Sequence, residues 1–180
     1  MNVLTLLGSP RKQGNTATVL TMLESEFYGR HTVERINITS QRVNGCLGCG
    51  VCQKTADRPG CVQKDDALSV FERMMAADAV VYASPLYCWD FTAQMKALID
   101  RHFCLVTGYG TPDYRSLVND KPAALLVTCA GPVEGNADVI QTVFDRVCHF
   151  ARARAVNKTI LPFCTTRDAL GEEARAAARK

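Results

Sequence analysis

Five times along this chain a short apolar run stops at a turn and gives way to residues recurring at helical spacing, and that alternation constrains the fold more than any other feature. Val3 to Leu7 closes at Gly8-Ser9-Pro10, after which Val19, Leu20, Leu23 and Phe27 mark one helical face. Val33 to Ile38 carries Glu34 and Arg35, as an edge strand does. A cysteine-rich loop follows, about residues 44–64, and Asp65 then sits in an N-cap position before Ala67, Val70, Phe71 and Met74. Ala79 to Ala83 leads through Ser84-Pro85 to a helix marked by Phe91, Met95, Leu98 and Ile99. Ala123 to Thr128 leads to Ile140, Val143, Phe144 and Val147, then Thr159 to Phe163 forms a fifth strand and Glu172 to Lys180 a last helix. Strands alternating with helices build right-handed βαβ units, so the expected class is α/β: a doubly wound five-stranded parallel sheet with helices on both faces, a three-layer sandwich.

A chain of 180 residues with 47% hydrophobic content fills one core, and no linker or repeat divides it, so residues 1–180 are expected to form a single domain. Its apolar runs are far shorter than the roughly 20 residues a membrane helix needs. The N-terminus runs from apolar residues straight into a turn, unlike a secretion signal, and a cytoplasmic location is expected. A net charge of +3 with scattered Lys and Arg gives no support for nucleic-acid binding. Nine cysteines fall below the density of a disulfide scaffold, and their odd number points to free thiols or metal ligands.

In such sheets ligands bind beyond the carboxyl ends of the strands, where strand order reverses. The first such loop, Gly8 to Thr16, has the parts of an anion cradle. Ser9, Asn15 and Thr16 are short and polar, Gly14 permits close backbone approach, Arg11 adds charge, and a helix start supplies unpaired N–H groups. It matches neither the phosphate loop of nucleotide triphosphatases nor the dinucleotide fingerprint. The third loop, Ser84 to Thr92, brings Tyr87 and the only Trp, Trp89, to the same edge, where a flat ring would find stacking surface. Thr128 to Gly131 would lie beside them. His31, His102 and His149 fall outside these loops and read as surface or packing residues.

Cys46, Cys49 and Cys52 follow one another at C-x2-C-x2-C spacing, with Cys61 after eight intervening residues. The triple resembles the start of a ferredoxin run, and Gly45, Gly48, Gly50 and Gly60 allow the backbone to curl round a cluster. Zinc, a redox-active pair and metal-free thiols remain open, although structural zinc more often uses two separated knuckles. Cys52 to Arg58 has the C-x5-R spacing of a phosphatase loop but a polar interior without glycines. Of the remaining cysteines, Cys104, Cys148 and Cys164 read as small buried hydrophobes, whereas Cys88 and Cys129 fall in ligand-side loops.

GSPRKQGNT followed by SPLYCWDFTAQMKALIDR resembles the flavodoxin-like NADPH-dependent FMN reductases, and the intervening cysteines resemble the iron-sulfur flavoprotein branch of that group. The likeness runs from about Val3 to Arg101. It implies FMN, with its phosphate on Ser9, Arg11, Gly14, Asn15 and Thr16 and its ring against Pro85, Leu86, Tyr87, Cys88 and Trp89, Thr128 and Gly131 closing over it. It implies an NAD(P)H oxidoreductase passing electrons to a quinone, flavin or protein acceptor, with no acid–base triad, and a [4Fe–4S] cluster on Cys46, Cys49, Cys52 and Cys61. The group usually has an aromatic residue at Cys88 and a shorter gap before Cys61. An alternative is an electron carrier without its own small substrate that docks to ferredoxin or a redox enzyme. Members often form dimers or tetramers, with residues near Trp89 and from Thr107 to Arg115 then meeting a second subunit.

Overall fold

A computed structural model describes residues 1–166 and 170. The helix expected over Glu172 to Lys180 lies outside the described residues. Strands β1 (Asn2–Leu7), β2 (Thr32–Asn37), β3 (Ala79–Pro85), β6 (Pro122–Thr128) and β7 (Arg154–Leu161) form one parallel sheet in the order β2-β1-β3-β6-β7. Strand order reverses between β1 and β3, which is the doubly wound flavodoxin-like arrangement.

Side chains alternate along β1. Leu4 and Leu6 face the larger apolar layer, in which helices α2 (Ala67–Ala76), α3 (Ala93–Asp100) and α4 (Asp138–Phe150) pack. Val3 and Leu7 face α1 (Asn15–Phe27) through Ala17, Val19 and Leu20. Helices therefore cover both faces. Phe71 from α2 and Phe144 from α4 are fully buried, and truncating either to Ala would cost about 3–5 kcal/mol. Among the described residues no helix is long and apolar enough to cross a membrane.

Three features differ from the sequence expectation. The fifth strand begins at Arg154, five residues earlier than Thr159, because its first half is an exposed edge without an apolar pattern. A small antiparallel pair, β4 (Val106–Thr107) with β5 (Arg115–Ser116), lies where no strand was expected. Asp66 rather than Asp65 takes the N-cap position of α2; Asp65 Oδ1 still accepts from the first helical N–H, that of Ala67, at 3.3 Å, but its carboxylate turns into the protein toward Arg101.

Candidate functional site

The β1–α1 loop is a tight, self-bonded turn. Arg11 N–H donates to Ser9 Oγ at 3.2 Å, Gly14 N–H donates to Arg11 O at 3.0 Å, and Thr18 N–H to Gly14 O at 3.0 Å opens α1. Gly14 caps the helix with extended backbone and no side chain, so the first helical N–H groups face the loop without intrahelical acceptors. An added Cβ at Gly14 would sit 3.0 Å from Arg11 Cβ, which explains glycine there.

Two buried networks fix this loop against its neighbours. Thr16 and Thr128 share a hydroxyl–hydroxyl bond of 2.7 Å, joining α1 to the end of β6. Thr92, the N-cap of α3, donates from Oγ1 to Gly8 O at 2.7 Å, while its N–H donates to Ser84 Oγ at 3.2 Å. The first and third loops are thus one rigid unit.

Between them, at the strand-order reversal, opens a cavity of about 650 Å³, inside the roughly 300–1,000 Å³ usual for small-molecule sites. Ser9, Arg11, Gly14, Asn15 and Thr16 form its polar end, Pro85, Leu86 and Tyr87 its apolar wall, and Thr128 its floor. The Asn15 amide donates to Cys164 O at 2.9 Å and Thr166 O at 3.0 Å, so this side chain ties in the segment after β7 as well as lining the cavity. Gln13, Cys129, Ala130, Cys164, Thr165 and Thr166 complete the wall. Of these, Gln13, Cys129 and Ala130 lay in loops read as ligand-side, whereas Cys164, Thr165 and Thr166 did not. Burial raises the Cys129 thiol, with the neighbouring Cys164 adding to the effect, and burial alone raises Cys164, so both sulfurs stay protonated.

Cys88, Trp89 and Gly131, expected against a ring, do not line this cavity. Tyr87 and Asp90 exchange two backbone bonds of 3.0 Å, closing a two-residue turn with Cys88 at φ 47° and Trp89 at φ 65°. Positive φ at both central positions is the signature of a type I′ turn, which throws the Cys88 and Trp89 side chains outward. Trp89 is 57% exposed. Gly131 accepts from the Cys129 thiol at 3.3 Å behind the wall.

The thiols gather elsewhere, at the far end of α3. Cys46, Cys49, Cys52 and Cys61 line one cavity of about 50 Å³ together with Arg101 and Cys104. Cys104 was read as plain core; its 55-residue separation from Cys49 hid its place here. Gly48 and Gly50 adopt left-handed backbone, at φ 64° and 67°, which lets the loop reverse between thiols. Cys52 is buried, Cys61 half-buried, and Cys46 and Cys49 exposed. Burial opposes the Cys61 thiolate, but the Gln63 backbone, the Arg101 charge and the Cys104 thiol together hold it below its ordinary value. Burial pushes Cys104 the other way, and the neighbouring Cys52 and Cys61 add to the shift. Among the described residues no group of three or more His, Cys, Asp or Glu side chains converges to hold a metal ion. The donor chemistry nevertheless suits an iron–sulfur cluster: thiols from both halves of the loop share one cavity, with a cationic wall.

None of the three histidines lines either cavity. His31 packs edge-on to Phe27, His149 is exposed, and His102 is buried edge-on to Phe71 and Tyr82 with neither ring nitrogen bonded. Burial lowers His102 to about 4 against a weaker opposing effect of Asp100, so it is a neutral packing residue.

A doubly wound sheet of order β2-β1-β3-β6-β7, with a half-polar cavity at its switch point, defines a flavodoxin-like α/β protein. Within that class the chain belongs to the NADPH-dependent FMN reductase family, whose profile it matches over residues 1–162. It is 38% identical over 133 residues to an iron-sulfur flavoprotein of Archaeoglobus fulgidus, covering 73% of this chain and 56% of that protein. An iron-sulfur flavoprotein of Methanosarcina thermophila is 34% identical over 106 residues, 58% of this chain and 54% of that one. The chain thus spans about half the length of the curated relatives it matches. In three dimensions it is similar to the NAD(P)H:quinone oxidoreductase from Methanothermobacter marburgensis, with TM-score 0.72 and 21% identity over 99% of this chain and 94% of that one. The FMN-dependent NADH-azoreductase from Bacillus anthracis str. Ames Ancestor in complex with FMN gives TM-score 0.66 at 14% identity, over 99% of both chains. At these identities the likeness establishes the fold.

Proposed function

We propose that this protein is an FMN-dependent NAD(P)H oxidoreductase carrying a [4Fe–4S] cluster on Cys46, Cys49, Cys52 and Cys61. The switch-point cavity carries the first half of this reading, because its polar end and apolar wall match the two ends of FMN. Arg11 and the open N–H groups of the α1 start bind the phosphate, while Ser9 and Gly14 shape the turn round it. Pro85, Leu86 and Tyr87 cover one side of the flat ring and exclude water from it. Thr16 and Thr128 pair with each other, so their role is to hold floor and loop together. Bound FMN would supply hydride acceptance from reduced nicotinamide and delivery of electrons to a quinone, flavin or protein acceptor.

The thiol cavity supports the second half, as do the names of the relatives. One helix spans the two sites: Thr92 caps α3 beside the flavin cavity and Arg101 follows its last residue. Nine residue steps at about 1.5 Å each separate them by about 13 Å along the axis. The test is FMN titration followed by NADPH and NADH oxidation with a quinone or ferricyanide. Tight 1:1 binding with turnover supports the reading, and no turnover with either nucleotide contradicts it.

A further inference from the structure

Arg101 follows α3 directly, and its side chain is fully buried. Nη1 makes the close bonds: it donates to Asp65 Oδ1 at 2.6 Å and Oδ2 at 2.5 Å, and more weakly to Asn44 O at 3.4 Å, while the guanidinium also interacts with the neighbouring Cys61 sulfur. Nε and Nη2 have no hydrogen-bond partner. Asp65 is itself tied down by the Asn44 N–H at 2.9 Å and by Ala67 N–H at 3.3 Å, so the carboxylate fixes the guanidinium from behind. In front lies the thiol cavity, whose wall Arg101 forms beside Cys46, Cys49, Cys52, Cys61 and Cys104.

An arginine buried with two open donors is costly unless those donors meet an acceptor. The thiols offer only weak acceptors while protonated. Thiolates, and the sulfides of a cluster they hold, are anionic acceptors of the kind a guanidinium fork serves.

We infer that Arg101 is the charge-setting residue of the thiol cavity: its Nε and Nη2 donate to the anionic sulfur of the bound cluster, and Asp65 tunes how much positive charge reaches it. The inference rests on the cluster reading above. Its consequence is a matter of sign. A positive charge and N–H donors beside a cluster favour the reduced, more negative state and raise its reduction potential. Asp65→Asn keeps an oxygen acceptor for Nη1 but removes the counter-charge, so the potential rises. Arg101→Lys keeps the charge but loses the fork that donates into the cavity, so the potential falls.

The experiment reconstitutes iron and sulfide without oxygen into the wild type, Asp65→Asn and Arg101→Lys, measures metal content, and then follows the cluster by redox titration with electron paramagnetic resonance. Equal iron content with potentials displaced in opposite directions supports the inference. Where Arg101→Lys does not fold, Asp65→Asn alone decides, an upward displacement supporting it and an unmoved or lower potential refuting it. Two loaded variants displaced in the same direction, or not at all, overturn the role of Arg101 and leave the cluster standing. A folded wild type that takes up neither iron nor sulfide overturns both readings together.

Discussion

Thr92 joins the two loops that frame the switch-point cavity, and replacing it with valine, nearly the same shape, isolates its hydroxyl. The Oγ1 donation to Gly8 O is short and wholly buried, so its loss leaves a backbone carbonyl without that donor, at about 1–3 kcal/mol. The cap bond from Met95 N–H is long, at 3.4 Å, and adds about 0.5 kcal/mol, the low end for a helix cap. The expected cost of Thr92→Val is about 1.5–3.5 kcal/mol, which at a urea slope of roughly 2 kcal/mol per molar moves the midpoint down by about 1–2 M. Gly8 precedes Ser9, so the loosened loop should also weaken FMN roughly fivefold or more, about 1 kcal/mol. The assay pairs urea unfolding of flavin-free protein with FMN titration by flavin fluorescence. Thr92→Ser, which keeps the hydroxyl, should stay within about 1 kcal/mol of the wild type. A valine variant within about 0.5 kcal/mol of the wild type, or a serine variant equally damaged, would refute the argument.

Arg11→Ala should weaken FMN by roughly tenfold, the worth of a charged hydrogen bond, and leave riboflavin binding unchanged because riboflavin has no phosphate. Equal losses for both ligands would remove Arg11 from the phosphate end. His102 is neutral in the fold at about 4 and ordinary at 6.5 when unfolded. Above 6.5 it contributes no slope; as pH falls toward 4 the unfolded chain binds a proton the fold refuses, and about 3 kcal/mol is lost. His102→Leu should flatten stability across that window, measured by urea midpoints, and an unchanged slope would contradict the assignment. The depressed Asp65 carboxyl acts in a lower window: its stabilisation is present above 3.8 and is lost as pH falls further. Burial works against that depression, and the bonds from Arg101, Asn44 and Ala67 overcome it. Replacing Cys88 and Trp89 together by Asn-Gly, the pair suited to positive φ, should stabilise the fold by about 1–2 kcal/mol. No gain in the urea midpoint would show that the turn is unstrained.

The sheet was legible because β1, β3 and β6 are buried on both faces and therefore read as continuous apolar runs. The start of β7 was not, since Arg154 to Val156 lie exposed at the edge and carry no pattern. The polar end of the cavity comes from one contiguous loop, which is why Ser9, Arg11, Gly14, Asn15 and Thr16 could be named in advance. Cys164 to Thr166 arrive only because β7 pairs with β6, a fact of topology. Trp89 was placed by chemical type and Cys88 by the family resemblance, and nothing in a Cys-Trp pair announces a turn that normally asks for Asn-Gly. Arg101 and Asp65, 36 residues apart, show the same limit: a buried ion pair leaves no local periodicity, so Asp65 looked like a helix cap.

The central claim is that reduced nicotinamide delivers electrons to FMN held in the switch-point cavity. Mixing FMN-loaded protein anaerobically with NADPH or NADH and following the flavin absorption band tests it directly. The account predicts stoichiometric bleaching with at least one nucleotide, faster than for free FMN. A band that persists with both nucleotides, in protein whose flavin dithionite still bleaches, would contradict it.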